Sequence, residues 1–205
     1  MNRPEDVILI FLKAPQLGQV KTRLARAVGN RRALAIYRSL VERQCGDLPE
    51  DSRIEIHFAP TDAEASMRDW LGTKFHYYPQ TDGDLGQRLQ HGIAEAFGRG
   101  ASTVTSIGGD CPDLCARHIK EAQIQIHAGH DVVIGPSEDG GYYLISLAAP
   151  HRPLFEAIPW SAANTLAVSK EKAAQLGLKL SLLKTLYDVD QHEDMDRAIR
   201  DGRIR

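Results

Sequence analysis

Short apolar runs take turns with amphipathic stretches along most of the chain, and that alternation constrains the fold more than any other feature. VILIFLK (7–13) has no polar residue before its last position. As a strand it must be covered on both faces. RRALAIYRSLVERQ follows at helical period. RIEIHFAP (53–60) and KFHYYP (74–79) enclose DAEASMRDWL, where Ala65, Met67, Trp70 and Leu71 suit a short helix. In DLGQRLQHGIAEAFGRG, Leu85, Leu89, Ile93 and Phe97 recur at i, i+4 spacing before Gly98 and Gly100 close the helix. STVTSIG (102–108), DVVIGP (131–136) and YYLISL (142–147) read as central strands, and LKLSLLKTLYDV carries a late one. The βαβα order predicts an α/β fold with a three-layer, Rossmann-like, mostly parallel sheet and helices on both faces. No repeat, low-complexity segment or linker interrupts it, so residues 1–205 are expected to form a single domain.

Composition narrows the function classes. A hydrophobic share of 42% and a charged share of 25% belong to a soluble globular chain, and a formal net charge of -2 argues against nucleic acid as a partner. No run of about 18 apolar residues is present to span a bilayer. The opening MNRPED lacks the apolar core of a signal peptide. A cytoplasmic enzyme or binding domain is expected, with no membrane partner. Cys111, Cys115 and His118 have the spacing of half a zinc site but lack a second Cys/His pair, so the cysteines read as buried or partly buried thiols.

In a sheet of this kind ligands sit outside the carboxyl ends of the strands, where the strand order reverses. Three polar, glycine-containing loops follow strands and so point to one crevice. The first, KAPQLGQVKTRL (13–24), is not a Walker A loop, because Gln19 and Val20 separate Gly18 from Lys21 and Thr22. It nonetheless gathers Lys13, Lys21 and Arg23 around Pro15 and Gly18 ahead of a helix whose first N–H groups suit phosphate. In GGDCPD, Asp110 projects at a strand end as an oxygen ligand for Mg²⁺, while Asp113 reads as the N-cap of a helix beginning near Leu114. In PSEDGG, Glu138 and Asp139 either contact an acceptor or serve a tight turn that uses Gly140 for its backbone angles. Asp188 and Asp190 are expected at the end of the late strand, with Asp190 as a second metal carboxylate.

FLKAPQLGQVKTRL, GGDCPDL, EDGGYYLISL, IPWS and DVDQHED occur in the same order as in a family of small bacterial proteins assigned as glycosyltransferases, some linked to arsenosugar biosynthesis. The chain resembles this family, whose fold looks like the glycosyltransferase-A type of nucleotide-diphospho-sugar transferases. Its first and last motifs are also similar to those of phospholactate guanylyltransferase and the molybdenum-cofactor nucleotidyltransferases. Gln191 and His192 replace the Thr-Pro of the family's closing motif. The resemblance implies an Mg²⁺-dependent (or Mn²⁺-dependent) transferase that moves a sugar from a nucleotide-diphosphate sugar to a small-molecule acceptor. The alternatives are nucleotidyl transfer from a nucleoside triphosphate to a phosphorylated acceptor, or a non-catalytic nucleotide-binding module. Expected nucleotide contacts are Lys13, Ala14, Pro15, Gly18, Lys21, Arg23, Gly108 and Gly109. Lys13, Lys21 and Arg23 would neutralise phosphate charge, with Asp139 as the candidate base. Asp110 and Asp190 would hold the metal, and Glu138, Asp139 and Gly140 the acceptor.

Overall fold

The computed structural model describes residues 5–204; MNRP and Arg205 of the expected 1–205 unit lie outside them. The elements run in the order β1 (Glu5–Lys13), α1 (Thr22–Val28), α2 (Asn30–Gly46), β2 (Arg53–Ala59), α3 (Glu64–Leu71), β3 (His76–Pro79), α4 (Leu85–Gly98), β4 (Ala101–Ile107), α5 (Ala116–His127), β5 (Val132–Pro136), β6 (Tyr142–Leu147), a 3-10 turn (Arg152–Phe155), α6 (Thr165–Gln175), β7 (Leu180–Leu182) and α7 (His192–Arg200). Among the described residues, no helix is long and apolar enough to cross a membrane.

The unbroken apolar run of β1 is explained by what covers it. Ile8, Ile10 and Leu12 pack with Tyr37 and Val41 of α2, Met67 of α3 and Ile119 of α5. Val7 and Leu9 face the other way, onto Leu89 and Ile93 of α4 and Ala173 of α6. The strand is therefore apolar at both parities and lies between two helical layers.

The strands form one seven-stranded sheet in the order β3-β2-β1-β4-β6-β5-β7. Its pairs are parallel except those of β6, which runs antiparallel to both β4 and β5. The βαβα pattern fails locally here because residues 137–141 are all that join β5 to β6, whereas a parallel return needs roughly a dozen residues or more. The chain builds outward from β1 through β2 to β3, then returns to place β4 on the other side of β1. The carboxyl ends of β1 and β4 thus flank the reversal in strand order, where a crevice opens.

Two local expectations need correction. The late strand ends at Leu182, well before Asp188. Residues 183–189 instead cross the carboxyl rim, pinned by Leu183 N to Ile134 O at 2.9 Å, Leu186 N to Pro136 O at 3.0 Å and Val189 N to Asp110 O at 3.0 Å. Tyr187 and Val189 are drawn into a cluster with Leu24 of α1, Leu40 of α2 and Met195 of α7, so this crossing is fixed by apolar burial. Asp113 is not a helix cap: α5 starts at Ala116 behind Cys115, and Asp113 pairs with Arg203 at 2.6 Å.

Candidate active site

A cleft of about 510 Å³ lies along the carboxyl rim, lined by the loops after β1 and β4, the β5–β6 turn, Asp188 of the rim crossing and Asp190 just beyond it. β1 delivers Lys13 to its edge. The Tyr37 hydroxyl fixes that residue's backbone, accepting from Lys13 N at 3.0 Å and donating to Lys13 O at 2.8 Å. Burial, with Asp110 nearby, pushes the Tyr37 phenol well above its ordinary range. It stays protonated and keeps donating.

Lys21 precedes α1 with φ 48° and ψ 44°, a left-handed backbone that costs a residue with a β-carbon about 1–3 kcal/mol and persists only where other contacts enforce it. Those contacts are visible at the side chain. Its ammonium donates to Val189 O at 2.6 Å and lies 2.7 Å from Asp110 Oδ1 and 3.1 Å from Asp190 Oδ1, with the side chain only 4% exposed. Burial by itself would push the ammonium down, but the two carboxylates outweigh it and hold the group above its ordinary range. Lys21 therefore ties three rim segments together.

The other expected residues divide by position. Lys13, Arg23, Gly108, Gly109, Asp110, Asp139 and Asp190 line the cleft together with Lys21. Ala14 is buried and borders a smaller neighbouring hollow of about 440 Å³. Pro15 and Gly18 line neither, and a side-chain carbon at Gly18 would meet the Asn30 side chain at 3.5 Å. Glu138 is absent from the lining because Arg197 of α7 grips it with two hydrogen bonds, at 2.8 and 3.1 Å. Gly140 serves the turn, packed under Ala163. Asp139 closes that turn by accepting from Gly141 N at 2.9 Å and still borders the cleft.

Several lining residues were not among the expected site residues. Arg88, on the first turns of α4, hydrogen-bonds Gly83 O at 3.0 Å and Gln80 Oε1 at 3.3 Å and faces both hollows. Its sequence cue was weak: an Arg directly preceding Leu89 of the apolar stripe, behind the Asp84–Gln87 capping box. Asp188 also lines the cleft. Burial pushes its carboxyl up to about 7 against the Ser137 hydroxyl, which donates at 2.5 Å, and Asp110 and Asp139 add to the rise. The far wall is apolar: Leu85, Leu89, Tyr142 and Trp160, the last stacked on Phe155 at 6.4 Å.

The donor chemistry suits a hard divalent ion. Asp110 and Asp190 each give one oxygen to Lys21, and their side chains stay 47% and 41% exposed. Mg²⁺ and Mn²⁺ favour such oxygens and commonly complete their shells with phosphate and water. Among the described residues, no group of three or more His, Cys, Asp or Glu side chains could hold a metal ion. Water and ligands from a substrate would have to complete the shell.

A mostly parallel sheet with an acidic and basic cleft at its switch point defines an α/β protein of the nucleotide-diphospho-sugar transferase fold. The chain belongs to DUF2064, a family of uncharacterised proteins conserved in bacteria, whose model matches residues 45–162. It is similar to a protein of Desulfovibrio desulfuricans G20 provisionally named a nucleotide-diphospho-sugar transferase, with 32% identity and a TM-score of 0.91 over 98% of this chain and 88% of that one. More distant likenesses show the fold alone. CMP:2-keto-3-deoxy-manno-octonic acid synthetase complexed with CTP has 11% identity and a TM-score of 0.61, over 98% of this chain and 100% of that one. Rv0371c of Mycobacterium tuberculosis H37Rv, in a complex with manganese, has 15% identity and a TM-score of 0.55, over 96% and 98%. No curated protein matches the chain.

Proposed function

We propose that the protein is a divalent-metal-dependent transferase that moves a sugar from a nucleotide-diphosphate sugar to a small acceptor. The observation that carries this reading is the meeting of Asp110 and Asp190 with Lys13 and Arg23 in one cleft at the β1/β4 switch point. The provisional name of the Desulfovibrio relative supports it, and the manganese complex of the distant Rv0371c fold accords with a metal.

Asp110 and Asp190 would hold Mg²⁺ or Mn²⁺, which when bound supplies positive charge to a diphosphate leaving group. Lys13 and Arg23 reach the same space and offset the charge that grows as the sugar–phosphate bond breaks. The backbone of Gly108 and Gly109 borders the nucleotide side without side chains in the way. Asp139, which borders the cleft from the β5–β6 turn, would be the candidate base for the acceptor hydroxyl.

Arg88 favours a second reading. With Lys21 held by two carboxylates, the loop after β1 offers two cations to a ligand, and Arg88 restores a third. Three suit a triphosphate, hence nucleotidyl transfer with release of pyrophosphate. A thermal-shift panel of nucleotide sugars and nucleoside triphosphates, with and without Mg²⁺, tests both readings, since a ligand that binds only the native state raises Tm. A nucleotide sugar should raise Tm more with Mg²⁺ than without. Asp110→Asn should still fold, with its own Tm lowered by about 2–4 °C because Lys21 loses one counter-charge, and should lose the Mg²⁺-dependent increment. Stabilisation by triphosphates alone would put nucleotidyl transfer in place of sugar transfer, and binding without turnover would make the protein a nucleotide-binding module.

A further inference from the structure

Lys21 was expected as a phosphate ligand, and the geometry points to a different use. An ammonium has three protons to donate. Lys21 hydrogen-bonds Val189 O at 2.6 Å and Asp190 Oδ1 at 3.1 Å, and pairs ionically with Asp110 Oδ1 at 2.7 Å. With its side chain only 4% exposed, the ammonium offers little access to an incoming phosphate. The side chain is buried while both carboxylates remain half open to the cleft, so the ammonium lies beneath them and a ligand would meet the aspartates first. Val189 O, the shortest of these contacts, belongs to the rim crossing that Val189 N fastens to Asp110 O.

We propose that Lys21 is a built-in cation that assembles the Asp110–Asp190 pair and weakens its hold on a free divalent ion, so that metal binds well only together with nucleotide phosphate. The argument rests on the function proposed above for the metal and nucleotide, and on charge. Two carboxylates alone would carry two negative charges. The ammonium cancels one and occupies one oxygen of each. Between them, these three groups leave a single net negative charge and one oxygen on each carboxylate not held by Lys21, a weak site for an octahedral ion unless phosphate joins its water ligands. Phosphate oxygens would supply both the missing charge and the missing ligands. Arg23 adds to the effect from outside, its guanidinium 3.8 Å from Asp190 Oδ2.

The test removes the cation and measures metal without turnover. Wild type and Lys21→Met are titrated with Mn²⁺ alone, reading free Mn²⁺ by electron paramagnetic resonance. ADP, GDP, CDP and UDP are then titrated separately in EDTA by calorimetry. Lys21→Met should bind Mn²⁺ about tenfold more tightly than wild type, a modest effect because both carboxylates are partly exposed and partly screened. Metal-free affinity for each diphosphate should change less than about twofold, since a buried ammonium turned toward protein acceptors makes little contact with phosphate. Lys21→Gln, which keeps hydrogen-bonding groups near Val189 without the charge, should behave alike and serves if the Met variant does not fold. Unchanged or weaker Mn²⁺ binding in a folded variant would overturn the proposal. So would a tenfold loss of metal-free diphosphate affinity, which would make Lys21 a phosphate ligand. If wild type bound no diphosphate under any condition, the proposed function would fall, while the Mn²⁺ comparison would still decide the role of Lys21.

Discussion

Gly140 holds the β5–β6 turn against the segment that carries Trp160. Its backbone sits at φ 89°, and a side-chain carbon there would lie 1.9 Å from Ala163 O. Gly140→Ala must therefore accept a left-handed backbone and push residue 163 away. We expect a loss of about 2–3 kcal/mol, the sum of a strained φ and a backbone clash, read as a lower urea midpoint. Because Ser161 and Ala162 line the cleft, ligand-induced Tm shifts should shrink as well. The turn chemistry of Asp139 and Gly140 was legible in the sequence, since Asp-Gly is a known turn pair. The opposite facing of neighbouring Glu138 and Asp139 was not. It depends on Arg197 of α7, which lies 59 positions away in the chain. The same limit applies to Lys21: spacing marked it as a basic loop residue, but its partners come from Asp110 and Asp190.

Between β2, β3 and the end of α4 lies a buried ionic cluster that supports one wall of the cleft. Glu55 is fully buried, with Arg99 at 2.6 Å, His57 at 3.2 Å and Arg53 at 3.2 Å. His57 in turn stacks at 5.0 Å on Phe11, which lines the cleft. Burial pushes the Glu55 carboxyl up, but hydrogen bonds from His57 and Arg99 prevail and hold it below its ordinary value of 4.5. A folded-state value below the unfolded one means that Glu55 stabilises the protein at pH above about 4.5. That contribution is lost as pH falls through the lower, folded-state value. Glu55→Gln should cost about 3 kcal/mol at pH 7, at the low end for a broken buried pair because Arg99 is partly exposed. Urea midpoints of the two proteins, measured from pH 7 to pH 3, should converge in acid. A gap of constant size would show that Glu55 contributes no such pH dependence. At this scale the strands were the most legible part of the sequence, because burial on both faces leaves an unbroken apolar run, as in β1. The direction of β6 was less so: it follows from the length of a connection, and alternation alone does not encode it. The rim crossing was missed because its hydrogen bonds and apolar partners lie in β5, the loop after β4, α1, α2 and α7.

Across the whole molecule, the near-neutral charge conceals a cleft in which cations and carboxylates are sorted. Asp110 and Asp190 hold the buried ammonium of Lys21, and Asp188 is turned onto Ser137, leaving Lys13, Arg23 and Arg88 as the cations that a ligand can meet. Sequence could count these charges but not sort them, since sorting depends on which partners each side chain finds in the fold. The sorting leads to a prediction that separates the two transfer reactions. Arg23, 68% exposed, acts through solvent. Its contribution should be screened over about 8 Å at physiological ionic strength. Arg23→Ala should therefore weaken nucleotide binding by about three- to tenfold at low salt, and by less at 0.5 M, in line with the modest worth of exposed charges. Arg88 is anchored by Gly83 O and Gln80, so Arg88→Ala should show a smaller dependence on salt. Calorimetric titration of the diphosphate and triphosphate of one nucleoside, on wild type and both variants, reads the outcome. If Arg88→Ala costs the triphosphate much more than the diphosphate, Arg88 grips a terminal phosphate and nucleotidyl transfer is the better reading. Equal losses would leave these cations serving the diphosphate of a sugar donor. No loss for either ligand in either variant would mean that the phosphates do not sit among these cations, and the site would have to be sought elsewhere on the rim.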